Sequence, residues 1–431
     1  MQRSKRAAPL WTIGTLIFSA MFVVGACGTS SSPPASTGTG GAGASSAAGA
    51  STGAGASTGT AAGTKHVAIV NKDMTDDEIK AAIAKEGGLT VGNWTYTATD
   101  ELVNQFQKYV KATYGADIKL TYVGSQSPSE YLTKLAAAKN SNSETPFDVI
   151  AVEENYWQDA MDQDLVDAFL PSDLVPNEKL LLDGFKHAPN ALAFQAASFI
   201  ALVYNKTKQP WIKSFKDLAD PRLKGKVTVP PPGDISSGGL LLALSKELGK
   251  DYKDPEQMKE VVDWLIANIG PNLVNGDKYT STESELQQLM DSGTADAEVF
   301  WNGQTRLEYF SGNKDVAQVV PAALFPINGY VWIPKKAPHP VLAQVFINWR
   351  LAPEVQFPND WPIEHGPWTQ FSEGFLGDEY VSHIPDWFKD DYYKNYLTID
   401  QIKSSLQTID WKAFNASSKV FQDYFAKKLG Q

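Results

Sequence analysis

The sequence predicts an α/β protein, built from a largely parallel sheet with helices packed around it and divided into two domains. Short apolar segments alternate with amphipathic helical segments along the chain, which is typical of this fold class. About 365 residues follow a low-complexity N-terminal region, and that length favours two domains. The 12 Trp, 16 Tyr and 20 Phe can supply a large apolar core.

The first half of the globular region alternates helix and strand. Residues 74–86 are predicted as a helix because Thr75 is a good N-cap and acidic residues fill the first turn. Residues 99–113 are predicted as a second helix because apolar residues recur at every third or fourth position. The other predicted elements are strands 89–94, 118–123 and 147–152, and helices 128–138 and 155–163.

The second half continues the alternation, and the proline-rich stretch 230–232 precedes one of its helices. Apolar runs rich in Val, Ile and aromatic residues predict the strands, and amphipathic periodicity predicts the helices. Residues from Pro340 onward are predicted to be mainly helical. The predicted elements are strands 198–204, 227–229, 296–301 and 329–334, and helices 211–218, 237–248, 255–268 and 282–291.

The first 26 residues have the features of a secretory signal peptide. Three basic residues precede an apolar run over residues 10–24, and small residues lead to Cys27. Val24–Cys27 resembles the bacterial lipobox, so we expect Cys27 to carry a lipid after cleavage. The alternative is an ordinary signal peptide followed by a chance cysteine. Cys27 is the only cysteine, which excludes an intramolecular disulfide.

Residues 27–65 are predicted to be a lipidated cysteine followed by a flexible linker. Residues 28–64 consist almost entirely of Gly, Ala, Ser and Thr, which cannot bury enough surface to fold. The formal net charge of the chain is −11, which argues against nucleic acid as a partner and gives no basic patch for a membrane surface. The membrane contact that we expect is therefore the lipid anchor.

Several segments together resemble the bacterial extracellular solute-binding proteins of ABC importers, most closely the spermidine/putrescine-binding branch. Their order and spacing carry the resemblance, which extends from Leu89 to Gly430. The segments are Asn93–Thr95, Tyr131 with Lys134–Leu135, Phe147–Ile150, Leu202–Asn205, Ser214–Leu218, Leu223–Val227, Trp301–Gly303, Trp332–Pro334, Ala343 with Phe346–Trp349, and Asp410–Trp411.

The resemblance implies a two-lobed periplasmic-binding-protein fold of type II-like topology, with a hinge of crossing strands and a helical C-terminal region. We expect residues 66–204 to form lobe 1, residues 205–329 to form lobe 2, and residues 330–431 to return to lobe 1. A small-molecule solute would bind between the lobes, and the closed form would dock on an ABC permease in the membrane. The resemblance implies a monomer without a cofactor.

Polar and aromatic residues that follow predicted strands are the candidates for solute binding, because ligands of open α/β sheets bind beyond the carboxyl ends of the strands. The resemblance implies that Trp94 and Trp301 line the ligand, and an indole face can hold an ammonium group. Packing is the alternative role for both. The complete set of candidates is Trp94, Thr95, Glu153, Tyr156, Asp234, Ser236, Ser237, Trp301, Asn328, Tyr330 and Lys412.

The loop before helix 237–248 is ambiguous in the sign of the charge that it binds. Asp234 could meet an ammonium group or simply cap the helix. The free N–H groups behind Ser236 and Ser237 could instead bind an anion. Glu153 and Glu154 could meet an amine or could belong to a solvated acidic loop.

The chain departs from the polyamine-binding pattern at four positions, which are Tyr96, Asn328–Gly329, Gly238–Gly239 and Lys412. Three of these positions lack an acid that the branch would offer, and Lys412 adds a base. A polyamine, a smaller amine, a zwitterion such as an amino-acid derivative, or an anion such as a phosphonate therefore remain open as the solute.

Two other functions are weaker. A secreted enzyme is disfavoured because none of the five His has a metalloprotease spacing and no Gly-X-Ser-X-Gly elbow or Gly-rich phosphate loop occurs. A ferric-ion protein would need paired tyrosines, and Tyr392–Tyr393 sits in an acidic helical segment where packing explains it better. A binding protein that serves a sensor instead of an importer is not separable by sequence.

Overall fold

The computed structural model describes residues 63–95, 100–125, 127–181, 183–195, 199–274, 276, 279–280, 283–302, 313–319, 323–356 and 399–430. Cys27, most of the predicted linker and the Tyr392–Tyr393 pair lie outside these residues. None of the helices in the described part of the chain combines the length and the apolarity that a membrane span requires.

Twelve strands occur in the described residues. They are β1 (Thr64–Val67), β2 (Lys72–Thr75), β3 (Gly88–Trp94), β4 (Lys119–Ser125), β5 (Val149–Glu153), β6 (Lys186–His187), β7 (Ala191–Gln195), β8 (Ile200–Asn205), β9 (Val227–Thr228), β10 (Ala297–Trp301), β11 (Val316–Gln318) and β12 (Gly329–Trp332).

The α-helices in the same residues are α1 (Asp76–Glu86), α2 (Asp100–Tyr114), α3 (Ser129–Asn140), α4 (Glu154–Asp162), α5 (Ile235–Glu247), α6 (Pro255–Trp264), α7 (Glu283–Asp291), α8 (Pro340–Arg350), α9 (Pro353–Gln356), α10 (Ile399–Ser405) and α11 (Trp411–Lys428). Helix α6 continues as a π-helical turn, and short 3₁₀ segments occur at Pro176–Leu180, Asp183–Phe185, Phe215–Ala219, Pro221–Leu223 and Gly270–Asn272.

The predicted helices and strands of the first half are confirmed with small shifts at their ends. Thr75 is the N-cap of α1 in a capping box with Glu78, whose carboxylate accepts from the Thr75 N–H at 2.8 Å. The predicted helix 211–218 is wrong, because only a 3₁₀ turn forms at Phe215–Ala219. Ser214 and Asp217 form a capping box on this turn, and Asp220 caps a second 3₁₀ segment that begins at Pro221, so two short turns form in place of one helix.

A six-stranded sheet has the strand order β4-β3-β5-β12-β7-β6. Strand β3 lies parallel to both β4 and β5, whereas β12 is antiparallel to β5 and to β7. Strands β3 and β5 therefore end at the same edge of this sheet. Helix α4 begins at that edge directly after β5.

A four-stranded sheet has the order β11-β8-β10-β9, and it pairs β10 parallel to β9 but antiparallel to β8. Both sheets are thus mixed, and the expectation of a largely parallel sheet is wrong. Strands β7, β8 and β12 flank the connections between the two sheets, and they join their sheets antiparallel to their neighbours. Strand–helix–strand connections account for the parallel strand pairs of these sheets and do not account for the antiparallel pairs.

The two sheets define two lobes, in agreement with the two-lobed fold expected from the sequence. We call the six-stranded sheet with its helices the first lobe and the four-stranded sheet with its helices the second lobe. The chain crosses from β7 to β8 and returns from β11 to β12. The crossing segments meet where Phe199 forms a bridge with Pro326, and these segments form the hinge.

Two clusters of buried apolar side chains form the cores. The first contains Phe106, Trp332 and Phe346 of the first lobe, and it extends to Ala201 and Val203 on one face of β8. The second contains the opposite face of β8, with Ile200 and Leu202, together with α5 and α6. Strand β8 therefore contributes to both cores, and its alternating side chains divide between them.

Two assignments from the sequence differ from the observed pairing. Strand β8 belongs to the second lobe, whereas the sequence analysis placed residues up to 204 in the first. Residues 330–431 were expected to return to the first lobe. Strand β12 and helix α8 lie in its sheet and core, whereas Trp411, Phe414 and Phe421 of α11 lie in the second core. Helix α11 packs against α6, and sequence alone gives no preference between the two lobes.

Candidate ligand-binding site

Trp94 and Glu153 are brought together at the edge of the first-lobe sheet where β3 and β5 end. The Trp94 indole Nε1 donates to both carboxylate oxygens of Glu153, at 2.7 and 2.8 Å. This bond fixes the orientation of the indole ring, and it uses part of the hydrogen-bonding capacity of the carboxylate. Thr95 follows as an exposed residue, with its Cα close to Gly124 of the neighbouring strand end.

Tyr156 lies in the first turn of α4, close to acidic groups of both lobes. Burial raises the pKa of the Tyr156 hydroxyl above its usual value, and the negative charges of Glu153, Asp234 and Asp159 raise it further. The phenol therefore stays protonated and can donate a hydrogen bond. Glu153 ends a strand of the first lobe and Asp234 precedes α5 of the second, so the negative charges that act on Tyr156 come from both lobes.

Asp234 is the N-cap of α5, and two serines beside it serve the same cap. Its carboxylate accepts from the Ser236 N–H at 2.8 Å and from the Ser236 hydroxyl at 2.7 Å. The Ser237 hydroxyl donates to the Asp234 carbonyl at 2.7 Å, and both serines are fully buried. The structure thus places Ser236 and Ser237 within the helix start, whereas the Asp234 side chain is partly exposed.

The carboxylate of Asp234 also bears on the anion alternative. A helix N-terminus attracts an anion through free N–H groups and the helix dipole. Here a carboxylate of the protein already occupies that position and accepts from a backbone N–H of the first turn. A bound anion would meet this negative charge, so the geometry disfavours an anion at the start of α5.

Trp301 ends β10 and pairs with Ile200 in the antiparallel ladder beside the crossing segment. Its side chain is partly buried and packs against the second core. The next residue, Asn302, is tied to the crossing segment, because its N–H donates to the Phe199 carbonyl at 3.0 Å and its side-chain oxygen accepts from the Phe199 N–H at 3.3 Å. Trp301 therefore lies at the hinge end of the second-lobe sheet.

Asn328 and Tyr330 belong to a buried cluster behind the strand ends. The Asn328 carbonyl accepts from the Glu154 N–H at 2.9 Å, and the Tyr330 side chain is fully buried. The His187 ring stacks on Tyr330 at 4.7 Å and on Trp157 at 4.2 Å, measured between ring centroids, and its Nε2 bonds to Glu154. The structure thus places Asn328 and Tyr330 in the core of the first lobe.

His187 and Trp157 were not among the candidates from the sequence. Glu154 was left open between an amine contact and a solvated acidic loop, and at 6% exposed it does not lie in a solvated loop. A signal was available, because Trp157 follows Glu154 at a helical spacing of three residues and both lie on the buried face of α4. His187 carried no signal, since the two-residue strand β6 is too short to predict.

Lys412 lies in the first turn of α11 and is exposed. Its ammonium group pairs with the Asp162 carboxylate at 3.4 Å, and the Lys412 side chain is 75% exposed. Asp162 is the last residue of α4, and Tyr156 lies in the first turn, six residues or about 9 Å earlier at 1.5 Å per residue. The structure therefore places Lys412 at the opposite end of α4 from Tyr156.

Gly238 and Gly239, where the polyamine pattern would offer an acid, are positions of close packing. A Cβ on Gly239 would lie 2.2 Å from Ile200 Cγ1 and 3.1 Å from Ile327 Cδ1, and a Cβ on Gly238 would lie 3.1 Å from Phe414 Cζ. Helix α5 can approach the crossing strand only because these side chains are missing.

The described residues contain no group of three His, Cys, Asp or Glu arranged to hold a metal ion.

The family model for bacterial extracellular solute-binding proteins matches residues 101–359, more than half of the chain. No curated protein sequence matches the chain significantly.

Three solved structures illustrate the similarity in fold. An ABC transporter protein of Clostridium perfringens has a TM-score of 0.57 and 21% identity, covering 79% of this chain and 99% of its own. The spermidine/putrescine substrate-binding protein PotD of Streptococcus pneumoniae has a TM-score of 0.54 and 19% identity, covering 78% of this chain and 99% of its own. The periplasmic binding protein AfuA of Actinobacillus pleuropneumoniae, with fructose-6-phosphate bound, has a TM-score of 0.54 and 17% identity, covering 79% of this chain and 98% of its own.

Proposed function

The chain belongs to the bacterial extracellular solute-binding proteins, and we propose that it captures a small cationic amine between its two lobes and delivers it to an ABC permease. Two of the structural relatives are components of ABC transporters, and one of them is a spermidine/putrescine-binding protein. The proposed mechanism is capture without chemistry. The lobes close about the crossing strands, as is usual for binding proteins of this shape.

The placement of Tyr156 among the carboxylates of both lobes is the observation that supports a cation. Burial raises the pKa of the Tyr156 hydroxyl most, and the charges of Glu153, Asp234 and Asp159 raise it further, which indicates a negative potential around this hydroxyl. An ammonium group between the lobes would neutralise this potential, and the Trp94 ring beside it can stack on an alkyl chain or attract the cation. The Tyr156 hydroxyl oxygen would accept a hydrogen bond from the ammonium group.

A zwitterionic solute is the second candidate. The Glu153 carboxylate already accepts two contacts from Trp94, which reduces its capacity for a second ammonium group. A zwitterion would use one ammonium group at Asp234 and needs a donor for its carboxylate, for which Thr95 and the Tyr156 hydroxyl are the proposed groups. Sugar phosphate, the ligand of AfuA, would require an anion site, which Asp234 disfavours.

Replacing Asp234 by Asn separates the charge of this residue from its structural role. Asn caps helices as well as Asp does, so the helix and the fold should persist. We expect putrescine to bind the Asp234→Asn protein at least about fivefold more weakly than the wild type, because the negative charge proposed to attract an ammonium group is lost. Isothermal titration calorimetry measures the ratio. Equal or tighter binding by the variant would exclude Asp234 as an ammonium contact.

Cys27 places the protein at the membrane in this proposal. The family is extracellular, and a diacylglyceryl anchor on Cys27 would hold it beside its permease through the linker, which raises the effective concentration there. We expect Cys27→Ser to move the protein from the membrane fraction to the soluble fraction of cells that express it, as measured by immunoblotting. An unchanged membrane fraction would contradict lipidation of Cys27.

A further inference from the structure

Helix α11 is fixed in the second lobe by both apolar and polar contacts. Phe414, Phe421 and Phe425 lie in the second core. The Tyr424 hydroxyl donates to the Asp263 carboxylate of α6 at 2.9 Å, and Asp410 before the helix accepts from Lys253 at 2.9 Å. The helix therefore moves with the second lobe.

A polar face of the same helix contacts the first lobe. The Asn415 side-chain amide donates to the Asn155 carbonyl at 3.0 Å and to the Asp159 carboxylate at 3.0 Å, and both acceptors belong to α4. Helix α4 carries Tyr156 in its first turn. Asn415 thus binds the first-lobe helix on which the candidate solute contact Tyr156 lies.

Seven residues later, on the same face of α11, Gln422 contacts the start of α5. Its side-chain oxygen accepts from the Gly233 N–H at 2.9 Å, and its amide lies 3.3 Å from the Asp234 carbonyl and 3.0 Å from the Ser237 hydroxyl. Residues seven apart are two turns apart on one face of a helix. One face of α11 therefore binds the backbone on either side of the candidate site.

We propose that α11 is a strut that sets the spacing between Tyr156 of the first lobe and Asp234 of the second, with Asn415 and Gln422 as its positioning residues. The strut holds α4 through Asn415 and the start of α5 through Gln422. A wider opening of the lobes must break the Asn415 contacts, because α11 is fixed in the second core. The inference rests on the proposed function only in treating Tyr156 and Asp234 as solute contacts.

Distance measurements on the solute-free protein test the strut independently of the solute. Spin labels at Lys108→Cys of α2 and Lys246→Cys of α5, both exposed positions, in a Cys27→Ser chain would report the distance between the lobes by pulsed electron resonance. Asn415→Ala should shift or broaden the distance distribution. Asp159→Asn keeps an acceptor for Asn415 and should leave the distribution unchanged. Ser418→Ala is the control on the same helix, since its hydroxyl donates to the Asn415 carbonyl within α11.

Affinity provides the second measurement. We expect Asn415→Ala and Gln422→Ala to weaken putrescine binding about three- to tenfold, and Ser418→Ala to leave it unchanged. A distance distribution and an affinity that both survive Asn415→Ala would overturn the strut. A wild-type protein that does not bind putrescine would count against the proposed amine, whereas the distances in the solute-free protein would still decide on the strut.

Discussion

Trp301→Ala is expected to weaken solute binding at least about tenfold while the protein stays folded. Trp301 ends β10 beside the crossing segment, and its ring is only partly buried against the second core. We propose that this ring contacts a solute between the lobes, where an indole face attracts an ammonium group by about 0.5–2 kcal/mol. Isothermal titration calorimetry with the amine that stabilises the protein measures the loss.

Trp211→Ala is the matched control. Trp211 is also a partly buried tryptophan of the second lobe, but the Arg222 guanidinium stacks 3.7 Å from its ring centroid. We expect this variant to bind the solute as the wild type does. If Trp301→Ala retained the wild-type affinity, or if both variants lost affinity equally, Trp301 would not be a solute contact.

Gly239→Ala is expected to destabilise the protein by about 3 kcal/mol. The added Cβ would lie 2.2 Å from Ile200 Cγ1 and 2.9 Å from Ile200 Cβ, so helix α5 or strand β8 must shift. Overpacking a well-packed core costs about 1–3 kcal/mol. The clash here involves Ile200 atoms next to the backbone of β8, so we expect a cost at the upper end of this range. Urea unfolding followed by circular dichroism gives the free energy of unfolding.

Ile200→Ala is the comparison for this prediction. It removes the Ile200 Cγ1 atom that would lie 2.2 Å from the added Cβ. We therefore expect Ile200→Ala to cost less stability in Gly239→Ala than in the wild type, because the two side chains compete for the same space. Equal costs of Ile200→Ala in the two backgrounds would contradict the packing argument.

Much of the secondary structure could be predicted because its signals are local. Thr75 with Glu78 marks the start of α1, and apolar periodicity marks α2. The short strands β6 and β11 could not be predicted, because two or three residues carry no periodic pattern. The mixed direction of the sheets was missed for a related reason. Strand pairing is set by contacts distant in sequence, and β12 finds β5 across more than 170 residues.

The candidate site could be predicted in part. Trp94 and Glu153 were both chosen because each follows a predicted strand, and the two strands end at one edge of the observed sheet, where these residues form a hydrogen bond. The exposure of a side chain was harder to predict. Ser236 and Ser237 lie in the first turn of α5, and their hydroxyls bond within its cap. Lys412 stays a prediction, and its position beside Asp162 depends on how α11 docks, which is set by tertiary contacts.

A thermal-shift screen of the wild-type protein tests the central claim most directly. The screen would compare polyamines and smaller amines with amino acids, sugar phosphates, phosphonates and ferric ion, since a solute that binds only the folded state raises the melting temperature. We predict a shift with an amine, and no shift with sugar phosphates or ferric ion. A rise in melting temperature with sugar phosphate or ferric ion alone would contradict the capture of a cationic amine between the two lobes.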